Sequence, residues 1–363
     1  MATEPRTTHP FHMYDAITIQ PQTFVDIVER VRPIAEQMAP TLAAARQIFL
    51  VGIGTSFHAV QLGQYFLYHY GVTVPIQAVH SFDFALYGPA LSPNDCVIVV
   101  SHRGAKQYSL ASLKRASEAG CYTLLITGQS APDTAYASAT LRTTPPERSS
   151  AFTFSYTAAL AALATLAEAT GYRLTGNEPH PRSFLSQELP DALRASLQTE
   201  TQIASLAAAH LGHRRIWLVG GGPSGVTAQE AALKIKETSY RQAEGMSTEA
   251  ILHGPFQCVE PEDLFILIAP SGPAQERILS LAAMIKEIGT PYLVIDDGTA
   301  TSIQQDAAGH CTVPALPEPF AALTSLLPLQ LFSYHLALNV GTNPDGFRLE
   351  DPRFAAAFKH IKL

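Results

Sequence analysis

A lysine, a glutamate and a histidine lie close together in the sequence and could act on a sugar. Lys234 and Glu237 are three residues apart in a stretch rich in Ala, Leu, Lys and Glu, which predicts a helix over residues 228–240 with both side chains on one face. A carboxylate there is a candidate base, and a nearby ammonium can bind an anion or shift the carboxylate's pKa. His253 follows 16 residues after Glu237 and suits acid–base chemistry near neutral pH. The alternatives are an exposed ion pair and a histidine in a solvated turn.

This segment resembles the second sugar-isomerase (SIS) domain in the isomerase half of the glucosamine-6-phosphate synthase family. The matching positions are Leu233, Lys234, Lys236, Glu237, Ser239, Tyr240, Ala243, Glu244, His253, Gly254 and Pro255. One departure is small: the family's glutamate three residues before the histidine falls on Ala250, and Glu249 lies one place earlier. Residues 9–17 with Gln20 and Pro21 resemble the start of that isomerase half, and residues 343–348 resemble the start of its C-terminal tail. The resemblance covers nearly the whole chain.

The resemblance implies catalytic roles for Glu237, His253 and Lys234. In the family this histidine enters the site from the neighbouring subunit, which implies a homodimer with sites at the subunit interface. The synthase also has a glutaminase domain with an N-terminal nucleophilic cysteine. Residue 2 here is Ala2, and the few residues before position 9 are too short for that domain. We therefore expect no glutamine-dependent activity.

Composition argues against several other classes of protein. The 363 residues, 47% of them hydrophobic, suit two domains of ordinary size. The net charge of −7 without a Lys/Arg block argues against nucleic acid and membrane surfaces as partners. No apolar run approaches 18 residues and no signal peptide is evident, so we expect a soluble, cytoplasmic protein. The widely spaced cysteines predict buried thiols, with no metal site and no cofactor: Cys96, Cys121, Cys258 and Cys311.

Apolar runs alternate with helical stretches twice along the chain. The runs that predict strands are residues 47–51, 96–100, 122–126, 215–219, 264–268 and 291–295. Helices are predicted over residues 57–70, 105–118, 228–240 and 275–288. This order is typical of parallel sheets covered on both faces. We predict an α/β fold of two tandem SIS domains, each a three-layer αβα sandwich, with an N-terminal segment (1–23), domain 1 (24–180), domain 2 (181–342) and a C-terminal tail (343–363).

Two turns after predicted strands of the first half are candidate phosphate sites. Ligands of parallel α/β sheets collect beyond the carboxyl ends of the strands, where helix N-termini favour anions. The first turn carries Gly54, Thr55 and Ser56, which match the Gly-Thr-Ser of the synthase family. At the second turn the family holds the sugar phosphate with Ser-Gln-Ser-Gly-x-Thr, of which Ser101 and Gly104 remain.

The other positions of the second turn differ from the family and are His102, Arg103 and Lys106. The two cations, Arg103 and Lys106, can hold a phosphate dianion through charge-assisted hydrogen bonds. They can equally select a different anion or form an ion pair within the protein. We expect phosphate binding at this turn, without the family's usual geometry.

A further segment resembles part of the family's sugar site. Residues 147–153 resemble a Glu-x-x-Val-Ala-Ser-Thr stretch, in which Ser150 replaces the valine and Ala151 matches. Both are candidate substrate contacts, and helix capping is the alternative for Ser149 and Ser150.

The tail departs from the family at a functional position. In the family an arginine is followed four residues later by a lysine that forms a Schiff base with the ketose. Arg348 matches the arginine, but Pro352 occupies the lysine position. Either Lys359, with Lys362 beyond it, takes this role, or the protein does not use a tail lysine and its end packs as a short amphipathic segment.

The residues and the resemblance lead to three hypotheses about function. The first is an aldose–ketose isomerase or deaminase that acts on a phosphosugar or amino-sugar phosphate through an enediol or enolamine. The second is a deglycase that splits phosphorylated sugar–amine adducts with the same glutamate. The third is a sensor that binds a sugar phosphate without turnover.

Overall fold

The computed structural model describes residues 6–361, so Ala2 and Lys362 lie outside the described residues. These residues form two compact units, each built around one parallel sheet. Unit 1 comprises residues 6–18, 148–151 and 191–347, and unit 2 comprises residues 19–147, 152–190 and 348–361. The domain boundaries expected from the sequence remain predictions.

Strands and helices alternate through most of the chain. The strands are β1 Gln47–Gly52, β2 Ile76–His80, β3 Asp95–Val100, β4 Tyr122–Thr127, β5 Ala139–Arg142, β6 Ile216–Gly220, β7 Ala243–Ser247, β8 Leu264–Ile268, β9 Tyr292–Asp296 and β10 Gly309–Thr312. The helices are α1 His12–Thr18, α2 Gln20–Ala43, α3 Thr55–His69, α4 Ser81–Tyr87, α5 Gln107–Glu118, α6 Phe154–Thr175, α7 Leu189–Leu197, α8 Glu200–Ala209, α9 Pro223–Ser239, α10 Thr248–Leu252, α11 Gln275–Ile288, α12 Thr301–Gln304, α13 Glu318–Val340 and α14 Pro352–Phe358.

The sheet of unit 2 has five parallel strands in the order β2-β1-β3-β4-β5. Side chains alternate between its two faces, as strand geometry requires. Phe49 of β1 and Val97 of β3 share one face, where they pack with Phe84 of α4 and Leu113 of α5. The chain reverses its direction of winding between β1 and β3, so the crevice beyond their carboxyl ends is the expected ligand site.

The sheet of unit 1 has five parallel strands in the order β10-β9-β8-β6-β7. Leu218 of β6 packs with Ala231 of α9 and Tyr334 of α13. The neighbouring residue Trp217 points to the opposite face and packs with Leu281 of α11. Both faces of the sheet are therefore covered by helices, and the predicted α/β fold with two parallel sheets is confirmed.

The structure has two features, at Cys258 and in helix α13, that the sequence analysis did not predict. Cys258 is exposed, so the prediction of four buried thiols is wrong at this position, because the 3-10 turn Pro255–Cys258 has no buried residue. Helix α13 is long and apolar enough to cross a membrane, but 89% of its most apolar 18-residue window is buried inside the protein. That burial is typical of a core helix.

Candidate functional site

The first predicted loop lies where β1 of unit 2 leads into α3. Gly54 has a φ of 59°, which side chains rarely adopt, and the chain turns there before α3 begins at Thr55. A Cβ on Gly52 would lie 2.2 Å from the carbonyl oxygen of Ser56, so this position requires glycine. Thr55 and Ser56 form the first turn of a 15-residue helix, where the helix dipole favours an anion.

The second predicted loop follows β3, the strand next to β1. Ser101 is buried, and its Oγ has no hydrogen-bond partner among residues 6–361. Burial, helped by the neighbouring charge of Arg103, lowers the pKa of His102 to about 4, so the imidazole is neutral at pH 7. Lys106 occupies the N-cap position of α5. The loop thus contains a buried hydroxyl, a neutral imidazole and two cationic side chains.

Phe152 lies against this loop. The guanidinium carbon of Arg103 is 5.3 Å from the centroid of the Phe152 ring, and the His102 ring meets it edge to face at 5.5 Å. Two clefts share His102 and Phe152 as walls. Thr55 and Ser56 line the first cleft and Arg103 lines the second; with the space open to solvent included, they measure about 320 Å³ and about 440 Å³.

The clefts bring together only some of the predicted residues of unit 2. Thr55, Ser56, His102 and Arg103 line them. The remaining predicted residues of this unit do not line these two clefts: Gly54, Ser101, Lys106, Arg348 and Lys359.

Glu147 is a partly buried carboxylate that holds the start of α6. Its Oε1 accepts hydrogen bonds from Thr153 N at 2.6 Å and Thr153 Oγ1 at 2.8 Å. Its Oε2 accepts hydrogen bonds from Ser155 N at 3.1 Å and Ser155 Oγ at 2.5 Å. Burial raises the pKa of Glu147 and outweighs the opposing effect of these bonds. Glu147 matches the family in sequence, but its capping role follows only from the structure.

The neighbouring serines belong to unit 1 and do not cap α6. Ser149 Oγ lies 3.3 Å from the carbonyl oxygen of Pro344, and Ser150 N donates to the carbonyl oxygen of Asp345 at 2.8 Å. Ala151 is buried. The segment is therefore anchored to the residues that follow α13, and a ligand contact from Ser150 or Ala151 remains a prediction.

The predicted catalytic pair of unit 1 is part of a buried cluster of three charges on α9. Lys234 Nζ lies 2.6 Å from Glu237 Oε2 and 3.3 Å from Glu230 Oε1. The side chains of Lys234 and Glu230 are 0% exposed, whereas that of Glu237 is 21% exposed. The Lys234 side chain is therefore closed to solvent, and its ammonium lies against the partly exposed Glu237 carboxylate. The interpretation as an exposed surface ion pair is therefore wrong.

Glu230 is a member of this cluster that sequence analysis missed. It lies four residues before Lys234, a spacing that places a glutamate and a lysine on the same face of a helix. That spacing was the available signal. The spacing alone could not indicate that Glu230 is buried. Buried residues lie around most of the circumference of α9, so its sequence has no simple polar face.

His253 has a different environment from Glu237. It ends the short helix α10, and its side chain is 77% exposed. His253 Nε2 lies 3.2 Å from Glu249 Oε2, and Glu249 also pairs with Arg277. The hydrogen bond from Arg277 lowers the pKa of Glu249. His253 therefore lies on the surface of its own unit, next to an ionised carboxylate.

The tail of unit 2 forms a short helix with no buried residue. Pro352 is its first residue, and the Asp351 side chain caps it by accepting from Arg353 N at 3.0 Å. Arg348 lies 3.7 Å from Asp351, and its guanidinium carbon is 4.5 Å from the centroid of the Phe354 ring. Lys359 follows the helix and is exposed. The end of the chain therefore forms a short helix, α14, but none of the residues of this helix is buried.

Curated proteins are similar to this chain in sequence over most of its length. The glutamine–fructose-6-phosphate aminotransferase (isomerizing) of Pyrococcus horikoshii is 30% identical over 336 residues, which cover 92% of this chain and 56% of the relative. The chain thus spans about half the length of the curated relatives it matches.

Solved structures share the fold at low sequence identity. The C-terminal domain of glucosamine-fructose-6-phosphate aminotransferase from Francisella tularensis matches with a TM-score of 0.85 and 19% identity, covering 94% of this chain and 99% of that chain. Tagatose-6-phosphate ketose/aldose isomerase from Escherichia coli matches with a TM-score of 0.79 and 20% identity, covering 95% of this chain and 97% of that chain.

The SIS domain profile matches the chain twice, over residues 41–169 and residues 212–340. Each match spans the central strands of one sheet and the loops described above. The chain therefore belongs to the SIS domain family and carries two copies of that domain.

Proposed function

We propose that this chain is an aldose–ketose isomerase or deaminase that acts on a phosphosugar or amino-sugar 6-phosphate. The observation that carries the proposal is the charge cluster on α9, in which Lys234 and Glu230 are fully buried and Glu237 reaches solvent. A buried ammonium held against a partly exposed carboxylate is a suitable arrangement for a general base. The names of the similar proteins, an isomerizing aminotransferase and a ketose/aldose isomerase, support the same reaction class.

In the proposed reaction Glu237 removes the proton from C2 of the open-chain aldose. The electron pair of that C–H bond forms the C1–C2 double bond, and the carbonyl oxygen at C1 gains a proton to give an enediol. Return of the proton to C1 and loss of the O2 proton then leave the carbonyl at C2. Lys234 keeps Glu237 ionised and oriented, and it does not touch the substrate.

His253 supplies acid–base chemistry at the ring oxygen in this proposal. Its 77% exposure suits a residue that enters the site of a neighbouring subunit rather than one enclosed by its own chain. The proposed active form is therefore a homodimer, in which each site combines Glu237 of one subunit with the histidine of the other.

The phosphate group binds at the carboxyl end of the unit 2 sheet in this proposal. Thr55 and Ser56 provide the first turn of α3, and Arg103 provides a guanidinium. Because His102 is neutral at pH 7, the charge for anion binding comes from Arg103 and the helix N-terminus.

A screen of sugar phosphates in deuterated water tests the proposal. Hexose and hexosamine 6-phosphates are incubated with the protein, with and without ammonium chloride, and deuterium at C1 and C2 is followed by NMR. We expect exchange and interconversion with at least one aldose–ketose pair, and ammonia release or uptake distinguishes the deaminase. Absence of exchange with every substrate would overturn the proposal.

A sensor without turnover is the second candidate. The second loop favours it, because the family's hydroxyl residues are replaced and Phe152 lies against the altered positions. A sensor would bind a sugar phosphate in calorimetry and give no exchange in the same screen. Phosphorylated sugar–amino acid adducts are included in the screen, since release of the amine from these alone would identify a deglycase.

A further inference from the structure

A third and larger cavity of unit 2, here the α2–α6 cavity, lies between helices α2 and α6 and the segment that follows α6. About 580 Å³ of it is open to water-sized molecules, which is within the range of about 300–1,000 Å³ found for small-molecule sites. Its charged walls are three arginines and three glutamates: Arg32, Arg173, Arg182, Glu36, Glu168 and Glu178. The cavity therefore has room for a molecule the size of a sugar phosphate and charges to hold one.

The α2–α6 cavity is separate from the candidate substrate site. The two helices run side by side in the same direction, and near their start the Thr157 hydroxyl donates to the Gln20 side chain. Tyr156, at that start, lines the cleft of Thr55, whereas Arg173 lines the cavity. Residue 173 lies 17 positions after residue 156, which corresponds to about 26 Å along α6 at about 1.5 Å per residue. A molecule bound in this cavity therefore does not occupy the proposed substrate site.

Four of the six charges around the cavity form two ion pairs. Arg32 Nη2 lies 3.1 Å from Glu168 Oε2, and the two side chains are only 17% and 18% exposed. Arg182 pairs with Glu36. Burial raises the pKa of Glu168, and the charges of Glu178 and Glu36 add to this rise, whereas the two arginines oppose it. The three carboxylates therefore lie close enough to act on one another, and such a group favours a cation among them.

The other two charges of the cavity are available to a ligand. The side chains of Arg173 and Glu178 form no hydrogen bond or ion pair with any residue between 6 and 361. They lie on either side of Gly176, where a φ of 68° ends α6 in a left-handed turn. Both are exposed, so a ligand can reach them without breaking an ion pair of the protein. The complement of this cation and this carboxylate is a molecule with one anionic and one cationic group.

Size and charge favour an amino-sugar phosphate over a free amino acid as this molecule. A guanidinium binds a phosphate through two parallel hydrogen bonds, and Arg182 lies on the wall of the same cavity. The side chain of Tyr172 also lines the cavity, and this residue is 55% exposed. Its ring offers an apolar surface to one face of a sugar. A free amino acid would leave most of the 580 Å³ to water.

We propose that the α2–α6 cavity is a second ligand site, which binds an amino-sugar phosphate with the phosphate at Arg173 and the ammonium at Glu178. This site is additional to the proposed substrate site. It does not depend on the role proposed for Glu237, because no residue of the catalytic cluster on α9 takes part in it.

Calorimetry with glucosamine 6-phosphate tests the site in the background of Arg103→Ala, which removes the guanidinium proposed to hold phosphate at the substrate site. We expect binding to remain in this background. Arg173→Gln and Glu178→Gln, each added to it, should weaken binding at least about tenfold, the scale of a hydrogen bond to a charged group. The matched controls, Arg214→Gln and Glu276→Gln, remove exposed charges of unit 1 and should leave the affinity unchanged.

Three related compounds test the class of ligand in the same background. Glucose 6-phosphate lacks the ammonium, glucosamine lacks the phosphate, and free serine is a smaller zwitterion, so each should bind at least about tenfold more weakly. Equal affinity for either sugar would overturn the need for both charges, and equal affinity for serine would assign the cavity to an amino acid instead.

Two results would overturn the site itself. The first is loss of all binding of glucosamine 6-phosphate in Arg103→Ala, and the second is an affinity that neither Arg173→Gln nor Glu178→Gln changes. Neither result depends on turnover, so the proposed function stands or fails separately, by deuterium exchange in the screen of sugar phosphates.

Discussion

Lys234 Nζ lies 2.6 Å from Glu237 Oε2, one helical turn along α9. The same ammonium is 3.3 Å from Glu230 Oε1, so one lysine faces two carboxylates inside the protein. A buried charge is expensive unless it is paired, and here both carboxylates contact the same ammonium. The arrangement links the stability of α9 to the chemistry proposed for Glu237.

Replacing Lys234 should therefore destabilise the protein as well as inactivate it. Lys234→Met removes the ammonium that both Glu230 and Glu237 contact, and removal of one partner from a buried ion pair costs about 3–5 kcal/mol. Lys236→Met on the exposed side of the same helix is the control and should stay within about 0.5 kcal/mol of wild type. Denaturant unfolding measures both. Equal free energies of unfolding for the two variants would contradict the structural role of Lys234.

The sequence was sufficient to predict the central strands of both sheets. The runs at 264–268 and 275–288 coincide with β8 and α11, because continuous apolar residues and helical periodicity are strong local signals. The sequence analysis missed the four strands that form the edges of the two sheets: β2, β5, β7 and β10. Thr140 of β5 and His310 of β10 are exposed, so these short strands lack the apolar pattern of a buried strand.

The candidate site was predicted less completely than the fold. The Gly-Thr-Ser turn was predictable, because a glycine with positive φ before a helix has a local sequence signature. Phe152 was not predicted as a site residue, since its contacts with His102 and Arg103 join residues about 50 positions apart. The burial of Lys234 and Glu230 depends on packing between α9 and α13, which no local pattern encodes.

The buried His102 should make the folded state sensitive to acid. Burial lowers the pKa of His102 to about 4, against about 6.5 in an unfolded chain. As the pH falls, the unfolded chain binds the proton before the folded protein does. The contribution of neutral His102 to the free energy of unfolding is therefore complete above about pH 6.5 and is lost toward pH 4. The difference between the two pKa values of His102 corresponds to about 3 kcal/mol in the free energy of unfolding.

Replacement of His102 by a residue that does not titrate isolates this contribution. His102→Gln should lose less stability than wild type between pH 7 and pH 4 in denaturant titrations. His360→Gln removes an exposed histidine and should follow the wild-type pH profile. A difference between wild type and His102→Gln that stays constant over this range would contradict the neutral, buried state of His102.

If the site combines two subunits, two inactive variants should complement each other. Glu237→Gln and His253→Ala are unfolded together, refolded as a mixture and assayed. Random pairing into dimers leaves one intact site in each mixed dimer, or about a quarter of wild-type activity. Mixing Glu237→Gln with Glu237→Ala is the control and should restore nothing. Activity that stays at the background of the separate variants would place His253 in its own subunit's site or outside the mechanism.

The tail predicts that no covalent adduct forms with the substrate. Pro352 has no amine, and Lys359 is exposed at the end of α14, where a lysine is poorly activated as a nucleophile. Borohydride added during turnover of a ketose phosphate should leave the mass of the intact protein unchanged. An adduct that is trapped in the wild type and lost in Lys359→Ala would restore a Schiff-base mechanism.

Proton transfer by Glu237 is the central claim, and solvent exchange measures it directly. The substrate found in the screen is incubated in deuterated water with wild type, Glu237→Gln and, as a control, Glu276→Gln, which alters an exposed glutamate of the same unit. We predict incorporation of deuterium at C1 or C2 with wild type and Glu276→Gln. Glu237→Gln should give none while it binds the substrate with nearly unchanged affinity. Wild-type rates of exchange in Glu237→Gln would show that Glu237 is not the base.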